Sequence, residues 1–386
     1  MNDAFDFLVR KDITFLNFGS FGSCPKEIFS FYQKKQLELE SQPVSFIVED
    51  GINQLNNARK TLASYVHCQP DDLVYVTNPS YAINTIAKSL RLKKGDEVLS
   101  TQLEYGALIR AWNYYCEKKG ASFIQQRIPL PFSTSDEVVA AFFKGCSDKT
   151  KAIYISHITS ATALILPVEQ ICEEAKKRGL ITIVDGAHAP AQINLNLNNL
   201  NVDIYTGACH KWMMAPKGAS FLFVSKAHQN WIDPLLISWG YQSDNPSNSL
   251  FIDYHQTAGT RDFSAFLTVP FCIDFMRRNN WEDVSDKNKK NTIDWALRLM
   301  NRFNIEPISP ISPSFLGQMF AIPIYTPDCV GLKQRLWHQF NIEIPVTQLD
   351  KRNFIRFSIQ AFNDWEDYIA LENALQALEK SGFLKF

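Results

Sequence analysis

The chain has 386 residues, 46% of them hydrophobic and 20% charged, with a formal net charge of −1. That length supports a large core and two domains, and the near-zero charge gives no electrostatic reason to expect nucleic acid or an anionic membrane as partner. No apolar run approaches the roughly 20 residues of a transmembrane helix.

The first residues, Met1-Asn2-Asp3-Ala4-Phe5-Asp6, lack the basic and apolar regions of a signal peptide. Eight scattered cysteines form no CxxC pair and fit reduced thiols, so a cytoplasmic location is expected. From about Ile28 to Val224, helical patterns alternate with short apolar runs, as a parallel sheet with crossover helices requires. Beyond about Trp239 the pattern is mixed and reads as a smaller α+β domain.

In chain order, Phe15-Leu16-Asn17-Phe18-Gly19-Ser20-Phe21-Gly22 comes first, its two glycines permitting tight turns. It is not a dinucleotide-binding GxGxxG, because no strand–helix unit of the right form surrounds it. Leu73–Thr77 reads as a strand and Tyr81–Leu90 as a helix. Ser80, between them, is either a helix N-cap or a ligand for an anion at the helix N-terminus. Glu97–Ser100 is a further strand, followed by Tyr105-Gly106-Ala107. Ala152–Ser156 is another, leading to Ser160.

Ile181–Val184 is a β-branched run that delivers Asp185-Gly186-Ala187-His188 where it stops. The strand Val202–Thr206 then leads to His210-Lys211-Trp212, and Pro216-Lys217-Gly218 precedes the apolar run Ala219–Val224. An acid and a lysine therefore both lie just past strand ends, the edge at which open α/β sheets bind ligands. Such a pair suits pyridoxal phosphate. A lysine amine forms a Schiff base with its aldehyde, and a carboxylate keeps its pyridine nitrogen protonated. A zinc site from Cys209, His210 and His188 fails for want of a spaced ligand set.

Val184-Asp185-Gly186-Ala187-His188 and His210-Lys211-Trp212 with Pro216-Lys217-Gly218 resemble the class V aminotransferase-fold enzymes, and within them the isopenicillin N epimerase-like branch. The resemblance covers nearly the whole chain. It implies the α/β fold of type I pyridoxal phosphate transferases. A mostly parallel central sheet would lie in a large domain (21–245), beside a smaller α+β domain built from 1–20 and 246–386. Lys211, Asp185 and Tyr105 are the implied catalytic residues, with Tyr105 stacked over the pyridine. Ser80, the Tyr81 amide, His210 and Thr260 are implied at the phosphate, the last through a Gly259-Thr260-Arg261-Asp262 segment reaching a partner subunit. Ser160 and His188 are implied near the cofactor's 3′ oxygen. Arg356, from Phe354-Ile355-Arg356-Phe357-Ser358, and Asn17 are implied at the substrate, with the guanidinium clamping the α-carboxylate. Asn363 stands behind that strand. A homodimer with a shared active site follows, acting on an amino-acid-like small molecule.

A persulfide-forming desulfurase needs a cysteine on the mobile loop before the arginine-bearing strand. Residues Asn341–Lys351 contain none, and Cys329 sits at the start of an expected helix, Val330–Phe340. With Tyr105-Gly106-Ala107 in place of the desulfurases' histidine, the expected reaction is epimerisation at an α-carbon. β-Elimination from cysteine or cystine and transamination are the alternative reactions, and a catalytically silent binding protein is disfavoured by the intact Asp185, Lys211 and Arg356.

Overall fold

Seven short runs of mostly apolar residues assemble into one sheet: β1 (Leu73–Val76), β2 (Glu97–Thr101), β3 (Ser122–Gln126), β4 (Thr150–Ser156), β5 (Ile181–Gly186), β6 (Ile204–Ala208) and β7 (Ser220–Val224). These come from a computed structural model, which describes residues 5–386. The strand order is 1-7-6-5-4-2-3. Every neighbouring pair is parallel except the two made by β7, which runs against both β1 and β6. The reversal has a simple cause. Only residues 209–219 separate β6 from β7, too few for the crossover helix a parallel return requires. The sequence reading placed β6 at Val202–Thr206; the observed strand starts two residues later and continues through Gly207-Ala208, leaving Lys211 in this short connection.

Alternation along the strands feeds two apolar layers. Tyr75, Leu99, Ile153, Val184 and Tyr205 fill one, and Val74, Val98, Tyr154, Ile183 and Leu222 fill the other. Asp185 shares the parity of Ile183 and extends the strand past the expected stop at Val184. Helix α1 (Pro79–Ser89) follows β1, and α2 (Gly106–Lys118) follows β2. Helices Leu250–Gln256 and Ser264–Arg278 also pack on this part of the molecule: Phe251 joins the layer beneath Val74, and Phe266 stacks on Tyr75 at 4.9 Å.

A separate core forms around a three-stranded antiparallel sheet of β8 (Met319–Ile324), β9 (Val346–Leu349) and β10 (Arg352–Ser358), with β10 central. Ile355 and Phe357 face that core, alongside Trp295, Leu299 and Leu375. Phe354 faces the other way, into the large-sheet core. Arg356 and Ser358 share its parity, so both turn toward the large sheet's edge. Thr14–Phe15 pairs with Ile342–Glu343, Leu16 enters the second core and Phe18 the first. Among the described residues no helix is long and apolar enough to cross a membrane.

Candidate active site

The carboxyl ends of β4 and β5, the turn after β2 and the connection between β6 and β7 surround a cavity of about 250 Å³, closed on the far side by Arg356 and by residues 19–21. Asp185, His188, His210, Lys211, Ser80, Tyr105, Ser160 and Arg356 all line it. Asn17, Tyr81 and Thr260 do not.

Asp185 Oδ1 accepts the Ala187 amide at 2.9 Å, and Oδ2 accepts the Tyr154 hydroxyl at 3.4 Å. Burial pushes this carboxyl upward, opposed by the Ala187 amide, the Lys211 charge and Tyr154. Gly186 follows because a Cβ there would lie 2.1 Å from the Tyr205 ring. Lys211 is held in a closed turn, with the Met214 amide donating to its carbonyl and the His210 amide donating to Ala219. Burial brings its amine down to about 8; Asp185 opposes the fall and Arg356 reinforces it. A lysine tuned in this way supplies free amine near neutral pH.

Lys211 Nζ stands 3.1 Å from His188 Nε2, and the indole of buried Trp212 donates to His188 Nδ1 at 3.4 Å. His210 Nδ1 lies 3.1 Å from the Ala219 carbonyl; its ring is pushed down to about 4 by burial and so is neutral. Gly22, at φ +65°, passes directly over this turn, where a Cβ would come within 2.2 Å of the His210 carbonyl. That close approach, in a backbone region suited to glycine, explains the second glycine of the N-terminal segment.

At the helix end of the cavity, Asn78 caps α1, accepting the Tyr81 amide at 2.8 Å. The cap alternative for Ser80 is thereby corrected. Pro79 occupies the first turn without needing a donor, and the preceding asparagine side chain reaches the third amide. The Tyr81 amide is engaged by that cap, while Ser80 remains on the cavity wall. Tyr105 begins α2 and is 48% exposed. Thr260 is exposed outside the cavity of its own chain, and Arg261 Nη2 donates to the Gln256 carbonyl at 3.0 Å.

Arg356 is 3% exposed. Its Nη1 donates to the Ser160 carbonyl and lies 3.5 Å from the Ser160 hydroxyl, while Nη2 donates to Ser20 Oγ at 3.0 Å. Its Nε is buried and without a partner. Burial lowers this guanidinium only to about 10, so it stays charged. Ser20 in turn donates to Asn17 Oδ1 at 2.5 Å, which puts Asn17 one step behind the wall. Ser358 accepts the Gly19 amide at 3.1 Å and donates to the Leu16 carbonyl at 3.0 Å. Asn363 donates to the Phe15 carbonyl at 3.0 Å. The R-x-S spacing thus has a physical meaning: one face of β10 both carries the guanidinium and ties down the N-terminal wall. The sequence assigns Ser20 no role and names Ser358 only within the Arg356 segment, although strand parity places it on the same face.

Glu104 was also missed. It is buried, accepts from Thr101 Oγ1 at 2.7 Å, and lies 2.5 Å from the hydroxyl of Ser156, a cavity residue. Burial drives its carboxyl from an ordinary 4.5 up to about 8, against the pull of Ser156 and Thr101. The fold therefore favours the protonated acid. The stability it contributes is complete below about pH 4.5 and is lost as pH rises through about 8. Glu104→Gln, which keeps the shape and neutrality of the protonated acid with a donor group and an acceptor, should cancel that loss. Its unfolding free energy should pull ahead of the native protein's as pH rises from 5 toward 8, by an amount on the order of a few kcal/mol, with its melting temperature rising in step. Calorimetry across that window checks this, and parallel curves would contradict a buried neutral carboxyl.

Residues 26–369 match the aminotransferase class-V family. Over 382 residues the chain is 32% identical to isopenicillin N epimerase of Amycolatopsis lactamdurans, covering 95% of this chain and 96% of that one. It is 24% identical over 406 residues to a probable chloroplastic L-cysteine desulfhydrase of Arabidopsis thaliana, covering 96% and 84%. Two structures of the cystine C–S lyase C-DES share its fold at 19% identity and TM-scores of 0.82. One is a complex with cysteine persulfide (95% of this chain, 97% of that one); the other is a lysine-to-alanine variant with glycine covalently linked to the PLP cofactor (95% and 96%).

The donor set suits that cofactor. The cavity offers one buried carboxyl for a ring nitrogen, one amine tuned to about 8 for an aldehyde, and the first turn of α1 with Ser80 and His210 for an anion. The orphaned Arg356 Nε leaves a cationic donor for a second anion. With the sequence match, the fold and this donor set in agreement, the chain belongs to the class V aminotransferase family of pyridoxal phosphate enzymes.

Proposed function

We propose that the protein is an epimerase that inverts the α-carbon of an amino acid, or of a peptide with a free α-amino group. The observation that carries this reading is the cavity's composition. It brings a lysine and a tyrosine to one small space beside a buried guanidinium, and no cysteine lines it among the described residues. The 32% identity to an isopenicillin N epimerase across almost the whole chain supports the same reading.

Bound pyridoxal phosphate supplies electron withdrawal that makes the substrate's Cα–H acidic. In this proposal Lys211 is both the covalent anchor and the base on one face. Tyr105 returns a proton from the other face, and Asp185 holds the ring nitrogen's proton. Ser80, His210 and a partner's Thr260 hold the phosphate, and the Tyr81 amide would join them only by giving up its bond to Asn78. His188 and Ser160 lie toward the 3′ oxygen, and Arg356, backed by Ser20 and Asn17, clamps the α-carboxylate. Burial lowers the Lys211 amine to about 8, so that part of it is free near neutral pH.

The proposal includes a homodimer acting in the cytoplasm. All eight cysteines are free, and the loop carrying Thr260 packs beside an exposed apolar stretch. Val44, Val48 and Ile52 are 70%, 61% and 42% exposed, and Phe46 stacks on Phe263 at 5.1 Å. Those side chains are suited to burial against a second copy.

The test is product analysis in deuterated buffer with L-amino acids, cystine and aminoadipyl peptides. Deuterium at Cα with inversion, and no pyruvate, ammonia or sulfide, is the expected result. Pyruvate release from cysteine or cystine without inversion would move the assignment to a C–S lyase, the reading the desulfhydrase relatives favour. A stable keto acid would move it to transamination.

A further inference from the structure

Trp212 is fully buried, and its ring is braced by Phe18 at 5.3 Å. The N-terminal wall that supplies Ser20 to Arg356 therefore also presses on this indole. An indole nitrogen only donates, so His188 Nδ1, at 3.4 Å, accepts. A neutral imidazole whose Nδ1 accepts carries its proton on Nε2, the atom 3.1 Å from Lys211 Nζ. An ammonium has three donors and no acceptor, so it would meet that N–H donor to donor. A neutral amine offers a lone pair and matches it.

We propose that Trp212 is a positioning residue that locks His188 in its Nε2–H tautomer, so that His188 donates to Lys211 and favours its uncharged, reactive amine over the ammonium. The opposite tautomer would accept from a lysine ammonium and stabilise the inert form, but it would set an Nδ1–H against the Trp212 N–H. The other groups facing His188 push the same way. Lys211, Arg356 and His210 are all cationic or potentially so, and with burial they hold the imidazole well below its ordinary range. The Gln192 side chain donates to the His188 carbonyl at 2.7 Å and leaves the ring nitrogens alone. Protonating the ring would require a buried charge near Arg356 and an N–H opposed to the indole. His188 is therefore a fixed donor, not a titrating base.

The inference rests on Lys211 being the reactive amine, but on no particular substrate or reaction. It is read in the cofactor-free protein by nitrogen NMR of ¹⁵N-histidine-labelled samples, with His188→Gln assigning the signal. The expected native spectrum has a bare Nδ1 and a protonated Nε2 that do not titrate between about pH 5.5 and about 8.5. Trp212→Phe, and a benzothiophene isostere of Trp212 that keeps the shape without the N–H, should release the tautomer. In both, the pH midpoint for methylation of Lys211 by formaldehyde and cyanoborohydride should rise by about one unit, which is about tenfold slower reaction below the midpoint. A native His188 protonated on Nδ1 overturns the proposal, as do variants that keep the native tautomer and midpoint. If Trp212→Phe does not fold, the isostere decides. Failure of the Schiff-base reading would appear separately, as cofactor linked to another lysine.

Discussion

Lys211→Ala should abolish covalent cofactor attachment and reduce turnover by at least about 10⁴-fold, because one side chain supplies both the nucleophile and the nearest base. Its surroundings make the loss hard to compensate. His210 is neutral and lies against the Ala219 carbonyl, and His188 is neutral and engaged by Trp212. No other lysine lines the cavity among the described residues. Borohydride reduction followed by peptide mapping is the direct measurement, with label at Lys211 expected in the native protein and none in the variant. Label at a different lysine would remove the whole site assignment. The pH dependence follows from the amine at about 8: cofactor capture by native protein should climb about tenfold per pH unit below that value and level off above it.

The second large effect is at Arg356. Its Nη atoms are oriented by Ser160 and Ser20, and the buried Nε has no partner, so the guanidinium is prearranged with N–H donors left for an acceptor. Arg356→Ala should weaken amino-acid binding by about 2–5 kcal/mol, or roughly 30- to 4,000-fold in affinity. Arg356→Lys should fall between, keeping the charge but losing the planar fork that Ser20 and Ser160 orient. Spectral titration with an amino acid and with its decarboxylated amine reads this: the native enzyme should prefer the acid, Arg356→Lys should keep a reduced preference and Arg356→Ala should lose it. Equal native affinity for the two compounds would refute a carboxylate clamp. Ser20→Ala should reproduce a smaller part of the loss, since it frees the guanidinium without removing it.

Much of this site was legible in the sequence wherever the chemistry sits at a strand end. Asp185 closes an apolar β-branched run and Lys211 follows the next strand closely, so proximity at one sheet edge follows from topology alone. Arg356 between Phe354 and Ser358 was likewise readable by alternation. What escaped depends on contacts between distant segments. Ser20, Glu104 and Trp212 look like ordinary residues until Arg356, Ser156 and His188 are brought against them. Asn17 shows the limit of carrying a role over by resemblance: its neighbour Ser20 reaches the cavity, and Asn17 holds Ser20. The direction of β7 was implicit in the eleven residues of 209–219, a loop length that decides between hairpin and crossover. The cap at Asn78 was implicit in Pro79, whose fixed backbone suits the first helical position.

The stitching of the N-terminal wall to β10 also bears on biosynthesis. Ser20 and Arg356 are separated by 336 residues, and Leu16 and Ser358 by 342. The central sheet can form while the chain is still being made, because its strands lie within residues 73–224. The wall over Lys211 has to wait, since the strand that pins it leaves the ribosome long after the segment it pins. A nascent chain would therefore hold Lys211 beneath an unfastened flap, and tight cofactor retention should begin only once β10 has emerged and closed it.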